Sequence, residues 1–289
     1  MLGAEGNTGR FVLTLACPDR KGIVAAVSRF LVEHDCNILD SAQFGDPSNG
    51  RFFLRMVFRA ERATDAASLR EAFQPIAKTF DMQADLHDMD RKVRTLVMVS
   101  KFGHCLVDLL YRHRIGALPI EIAKIVSNHR DLEDVAAAHG VPFVYLPVDK
   151  ANKAKQENAL LDLIGSEKID LVVLARYMQI LSPDLCEKLQ GRAINIHHSF
   201  LPSFQGARPY SQAHERGVKL IGATAHYVTA ELDEGPIVEQ AVERVSHALT
   251  PEDYAAVGRD IESVVLARAV KWHAEHRILL NGRRTVIFS

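Results

Sequence analysis

Two α/β domains of different grammar are expected from this chain of 289 residues. Residues 1–86 switch apolar period in the order β-α-β-β-α-β, a ferredoxin-like α+β arrangement. From 93 to 289 short apolar runs alternate with helical patterns, which predicts a doubly wound, mostly parallel sheet. Between them His87–Lys92, HDMDRK, reads as a polar linker.

The first half opens with a strand, Phe11–Ala16, and a turn at Pro18-Asp19. A helix follows, because Ile23, Val24, Val27, Phe30 and Leu31 form one stripe. Asp19 stands before it, where a carboxylate can cap free N–H groups. Strands at Cys36–Phe44 and Phe52–Phe58 flank Asp46-Pro47-Ser48-Asn49-Gly50, a run of turn residues. A helix over Thr64–Thr79 and a strand over Met82–His87 complete the unit. A sheet of this kind leaves an edge or face to pair, which predicts a homo-oligomer.

In the second half VRTLVMVS, from Val93, is apolar enough for a buried parallel strand. Helices are expected at His104–His113, Leu132–His139 and Lys153–Ile164. Strands are expected at Ile120–Val126, Phe143–Leu146 and through IDLVVLA. The strands Ala193–His197 and Leu220–Val228 follow, with a loop over Glu231–Pro236 and a strand from Ile237. A last helix, Tyr254–Trp272, turns Val257, Ile261, Val264, Val265 and Ala269 toward the sheet.

Composition narrows the function. With 47% hydrophobic and 25% charged residues the chain has material for a real core. Its net charge of −1 offers no basic surface for nucleic acid, and Arg283-Arg284 is too short to be one. No apolar run reaches the ~18–20 residues of a membrane span, and MLGAEGNTGR is too polar for a signal peptide. Cys17, Cys36, Cys105 and Cys186 are scattered, without a C-x-x-C pair. Reduced thiols in a cytoplasmic protein are expected, with no metal and no disulfide.

The chemistry gathers around INIHHSF. In AINIH, strand alternation puts Asn195 and His197 on one face at the C-terminal end, where open α/β sheets bind ligands. His198 then falls to the loop or the opposite face. A downstream loop can bring Asp233 over the Asn195/His197 face. Amide, imidazole and carboxylate together suit attack on a carbonyl. The plain alternative is that a strand-end histidine is structural. Zinc held by His197, His198, His214 and His226 is disfavoured, since adjacent strand positions diverge and no H-E-x-x-H occurs.

Two resemblances then sharpen the reading. L-T-L-A-C-P-D-R-K-G-I-V resembles an ACT domain, which implies an effector turn at Asp19 and Gly22. N-I-H-x-S-x-L-P with A-H-Y-V-x-x-x-L-D-x-G-P-I is similar to the formyltransferase fold of 10-formyltetrahydrofolate enzymes, over residues 93 to the C-terminus. That resemblance implies catalytic Asn195, His197 and Asp233. It implies folate contacts at Met178, Gln179, Ile180 and Leu181, and at Ala230, Glu231 and Leu232. For Ile180 and Leu181 the alternative is core packing. No further cofactor is implied, since tetrahydrofolate is the substrate carrier.

The formyl acceptor follows from what is missing. Ribonucleotide-using members carry a G-x-G-S-N loop after the first strand, where N–H groups hold a phosphate. Here Lys101–Cys105 reads K-F-G-H-C, with one glycine, Gly103, between bulky neighbours. Water is then the natural nucleophile. An ACT-like domain before a formyltransferase domain resembles the formyltetrahydrofolate deformylase family. This implies hydrolysis of 10-formyltetrahydrofolate to tetrahydrofolate and formate, serving purine synthesis and the one-carbon pool. Methionine or glycine would be the effector. Formyl transfer to an amine and a non-catalytic folate or amino-acid sensor are the alternatives.

Overall fold

The computed structural model describes residues 9–149, 151–202 and 209–289. Ser203–Arg208 lie outside the described residues. The chain forms two compact units. One runs to Lys92 and also takes in Glu275–Asn281 and Val286–Ser289; the other is Val93–Ala274 with Gly282–Thr285.

The first unit is β1 (Arg10–Pro18), α1 (Ile23–Glu33), β2 (Cys36–Asp46), β3 (Arg51–Ala60), α2 (Ala66–Phe80) and β4 (Gln83–Asp88). Its sheet runs β2-β3-β1-β4, antiparallel throughout. Helix α1 buries Ile23, Val27, Phe30 and Leu31 against the strands. Phe30 meets Phe73 of α2 edge-on at 5.0 Å, so one cluster ties both helices to one sheet face. Asp19 does not cap α1. The cap is Gly22 at φ 98°, without a side-chain bond. The Asp19 backbone N–H instead donates to Gly50 O at 2.8 Å, closing the turn between β2 and β3 against the end of β1. The left-handed cap conformation costs glycine nothing, and it turns the chain without a carboxylate.

The other sheet face is covered by the chain's C-terminal end. Leu279, Val286 and Phe288 pack on Ala16 and Phe53. Arg55, fully buried in β3, secures this return. It donates to the carbonyls of Glu275 (3.0 Å) and His276 (3.1 Å) and to Asp40 Oδ2 (3.1 Å). A buried guanidinium needs such a full set of acceptors.

The second unit continues with β5 (Val93–Val99), α3 (His104–Arg114), β6 (Ile120–Ser127), α4 (Glu133–Ala138), β7 (Phe143–Tyr145), α5 (Lys153–Ser166) and β8 (Leu171–Leu174). Then come α6 (Pro183–Lys188), β9 (Ala193–His197), α7 (Pro209–Glu215), β10 (Leu220–Tyr227), β11 (Ile237–Arg244) and α8 (Pro251–Ala274). A hairpin, β12 (Ile278–Asn281) and β13 (Arg284–Ile287), ends the chain. The large sheet runs β11-β10-β9-β8-β5-β6-β7. Its strands are parallel from β9 to β7, and β10 and β11 are antiparallel. From β5 the chain winds outward to β6 and β7, then returns to β8 on the other side. That reversal opens a crevice at the C-terminal strand ends.

Two short helices were not expected from the pattern, α6 and α7. Helix α6 starts with Ser182 accepting from Leu185 N at 3.2 Å and with Pro183 in its first turn. Helix α8 buries Ile261, Val265 and Ala269 as expected, but leaves Val264 at 37% exposure. It also buries Glu262, a charged residue inside an apolar stripe. Among the described residues no helix is long and apolar enough to cross a membrane.

Candidate active site

Three elements bring the acid–base groups together. Strand β9 carries Asn195 and His197, and antiparallel β10 sets His226 opposite Asn195 and Thr224 opposite His197. The β10–β11 register shifts between Ala225 and His226. Such a bulge re-aims the side chain that follows it. After β10 the chain loops back and Asp233 enters from above at φ 58°, a left-handed conformation that aspartate tolerates. Gly235 permits this close return. A Cβ there would lie 1.7 Å from the Tyr227 carbonyl oxygen.

The resulting cluster is tight and nearly dry. His197 Nδ1 lies 3.2 Å from Asp233 Oδ1, with the imidazole 6% and the carboxylate 12% exposed. The carboxylate only accepts, so Nδ1 carries the proton and Nε2 is turned toward the pocket. That Nε2 is buried without a hydrogen-bond partner among the described residues. Burial opposes ionisation of Asp233, but the hydrogen bond from His197 and the His226 ring nearby, its Nε2 3.7 Å from Oδ1, outweigh it and hold the carboxyl below its ordinary range. His226 donates from Nδ1 to the Tyr227 carbonyl at 2.9 Å. In the neutral ring Nε2 is then the acceptor for Asn195 Nδ2, at 3.2 Å. This bond fixes which way the Asn195 amide faces, leaving its second N–H for a ligand.

His226 is a site residue that the strand pattern of β9 could not supply. Its signal lay in A-H-Y-V, once β10 is paired with β9. His198 takes the loop, one of its two expected places. Strand β9 ends at His197, so alternation does not extend to the next residue. The chain bends, and the His198 ring lies 5.1 Å from that of His197, lining the same pocket. Burial, with Arg176 and His197 nearby, lowers its pKa to about 3. His198 is therefore a neutral ring at physiological pH.

The trio closes one end of a pocket of about 300 Å³. Its walls come from two loops. The loop after β8 contributes Met178, Gln179, Ile180 and Leu181; the loop after β10 contributes Ala230 and Leu232. Glu231, expected beside them, does not line the pocket. It faces Arg283 at 3.5 Å on the exposed side of the loop. The β8 loop is held from behind. Ser100 Oγ accepts from Met178 N at 3.0 Å, and Glu157 Oε1 accepts from Ser182 N at 2.8 Å. Leu181 is both wall and core, whereas Ile180 is 61% exposed at the rim and is not packed inside. An apolar slot with polar groups at one end suits a flat ring system whose reactive atom reaches that end.

The loop at Lys101–Cys105, where a phosphate cradle would lie, is shaped by packing. Gly103 caps α3, and a Cβ there would come within 2.7 Å of Leu132. Its small size therefore serves packing. His104 at the helix start donates from Nε2 to Glu262 Oε2 at 2.8 Å, and Tyr210 donates to Oε1 at 2.6 Å. Gly258 admits Tyr210 to α8, since a Cβ there would fall 2.1 Å from the ring. His104, Cys105 and Glu262 converge as metal ligands could. Burial raises the Cys105 thiol pKa, Glu262 is already spent on His104 and Tyr210, and Arg176 lies 3.4 Å from Glu262. That set is unsuited to a cation. Nor does a four-histidine site form, for His214 pairs with the Leu249 carbonyl away from the pocket.

Comparison with known proteins agrees with this geometry. Residues 93–270 match the family described as Formyl transferase, and residues 10–87 match the ACT domain. A formyltetrahydrofolate deformylase from Corynebacterium sp. (strain P-1) is 51% identical over 96% of this chain and 98% of its own. The chain belongs to the formyltetrahydrofolate deformylase family. A solved member, the deformylase from Burkholderia mallei, superposes with a TM-score of 0.93 at 53% identity, over 97% of this chain and all of that one. Glycinamide ribonucleotide transformylase 1 from Symbiobacterium toebii shares 32% identity and a TM-score of 0.65. It covers 70% of this chain and 97% of its own. The deformylase family thus accounts for both units, and the transformylase for part of the chain.

Proposed function

We propose that this hydrolase cleaves 10-formyltetrahydrofolate to tetrahydrofolate and formate, with Asn195, His197 and Asp233 as its catalytic residues. The pterin ring enters the slot between the β8 and β10 loops, against Leu181 and Leu232. Its formyl group reaches Asn195 and His197. The observation that carries the reading is the His197–Asp233 pair with His197 Nε2 buried and unpartnered at the pocket end.

The chemistry follows from that pair. His197 Nε2 takes a proton from water as the water oxygen bonds to the formyl carbon. The carbonyl oxygen gains negative charge and accepts from the free N–H of Asn195 and from imidazolium Nε2–H. Asp233, kept ionised by its two histidine neighbours, orients and balances the imidazolium. The C–N10 bond then breaks with its electron pair to N10, which receives the proton from His197. Formic acid loses its remaining proton to solvent as formate.

Water is the nucleophile because the Lys101–Cys105 loop has a single glycine, Gly103, packed against Leu132, in place of the run of open backbone N–H groups that would hold the phosphate of an amine-bearing ester. The ACT-like unit supports control by a small amino acid, methionine or glycine, at Asp19 and Gly22. The unpaired edges of its sheet support a homo-oligomer, and scattered reduced cysteines a cytoplasmic setting. Incubation with 10-formyltetrahydrofolate and no amine tests the reaction. Steady formate release is expected; release only on adding an amine acceptor would overturn hydrolysis.

A further inference from the structure

A second chamber of about 370 Å³ lies beside the catalytic pocket, and Arg176, Met178 and His198 line both. Arg176 is unusual in three ways. It is a long cationic residue held at φ 64°, in the left-handed region that favours glycine. Its side chain is only 10% exposed. Its Nε and Nη1 are buried and make no hydrogen bond among the described residues. Strain, burial and unanswered donors on one side chain call for a ligand that supplies acceptors.

Glu262 does not answer them. Its carboxylate faces Arg176 Nε at 3.4 Å without hydrogen-bond geometry, while His104 and Tyr210 take its two oxygens at 2.8 and 2.6 Å. Among the described residues, the fixed charges lining the chamber are Arg176 and Arg259 against Glu262, a positive excess. The catalytic end, by contrast, holds ionised Asp233. An anion made at the catalytic end is therefore repelled by Asp233 and attracted toward Arg176, which borders both spaces. The reaction makes one small anion, a carboxylate, and a guanidinium fork matches a carboxylate in shape as well as charge.

We propose that the chamber behind Arg176 receives the formate product, whose carboxylate accepts from the unanswered Nη1 end of the Arg176 guanidinium as it leaves Asp233 and His197. The site rests on the hydrolytic reading, and it differs from the folate slot in position and in charge. It makes Arg176 a product-binding residue.

Titration of carbon-13 formate into the tetrahydrofolate-bound enzyme, read by formate line width, tests it. Saturable binding is expected in the unaltered enzyme. Arg176→Met should weaken it about tenfold or more, the scale of one lost charge-assisted hydrogen bond. Arg176→Lys keeps the charge beside Glu262 but loses the fork, and it is the variant to read if Arg176→Met does not fold. It should still weaken binding severalfold. Absence of saturation in the unaltered enzyme, or equal affinity in Arg176→Lys, would overturn the site. Failure of acceptor-free formate release would instead sink the hydrolytic reading, so the two failures are distinguishable.

Discussion

Gly235→Ala is the sharpest perturbation of the catalytic geometry, because it touches no group that does chemistry. A Cβ at 235 would stand 1.7 Å from the Tyr227 carbonyl oxygen, where ordinary contact begins at 3.4 Å. The obstacle is backbone, so no side chain can rotate aside. Either the Asp233 loop lifts by more than 1 Å or β10 moves. The second route is closed by pairing on both sides of β10 and by the bond from Tyr227 N to Pro236 O at 2.9 Å. The loop therefore lifts and carries Asp233 away from His197. Misplacement on the order of 1 Å costs roughly 10²-fold in rate, so kcat should fall by that factor or more. KM should rise as well, because Ala230 and Leu232, one wall of the apolar slot, lie on the same loop as Asp233. Overpacking of this kind costs about 1–3 kcal/mol of stability, which urea denaturation will show the fold survives. Steady-state formate release is the assay. A kcat within threefold of the unaltered enzyme would refute the claim that Asp233 acts from this position.

Asn195→Ala removes an oxyanion donor and should lower kcat about 10²–10³-fold, measured by formate release at saturating substrate. Tyr210→Phe leaves buried Glu262 without its 2.6 Å donor and should cost about 1–3 kcal/mol in urea denaturation. His198 has a folded pKa of about 3 against 6.5 ordinarily, so between these values the unfolded chain binds a proton that the folded chain refuses. Its effect on stability is therefore absent above about pH 6.5, and stability falls as the pH drops toward 3. His198→Gln should flatten that decline when melting is followed across the window.

The parts of the fold that were legible depended on local period. Strand β9 was read residue for residue from AINIH, and the alternation that pairs Asn195 with His197 holds because both lie within the strand. Of the two places open to His198, the loop and the opposite face, the structure takes the loop, which turns the ring back to the pocket. Asp233 could be placed from the turn chemistry of Glu231–Pro236, and Gly235 shows why that loop can descend. What stayed hidden depends on contacts between distant segments. His226 becomes a partner of Asn195 only through strand pairing. Arg176 and Glu262 meet across 86 positions, and a lone Glu in an apolar helix stripe carries no sign of its partners. Arg55 looked like one more strand residue until Glu275 and His276 returned to it. Asp19 failed as a cap because a left-handed Gly22 does that work with backbone alone, which no charge pattern announces.

Turnover in water enriched in oxygen-18 tests the central claim most directly. With 10-formyltetrahydrofolate and no amine present, one labelled oxygen should appear in each formate released, matched by one tetrahydrofolate. Formate without label, or no formate until an amine is supplied, would contradict attack by water at the Asn195/His197/Asp233 site.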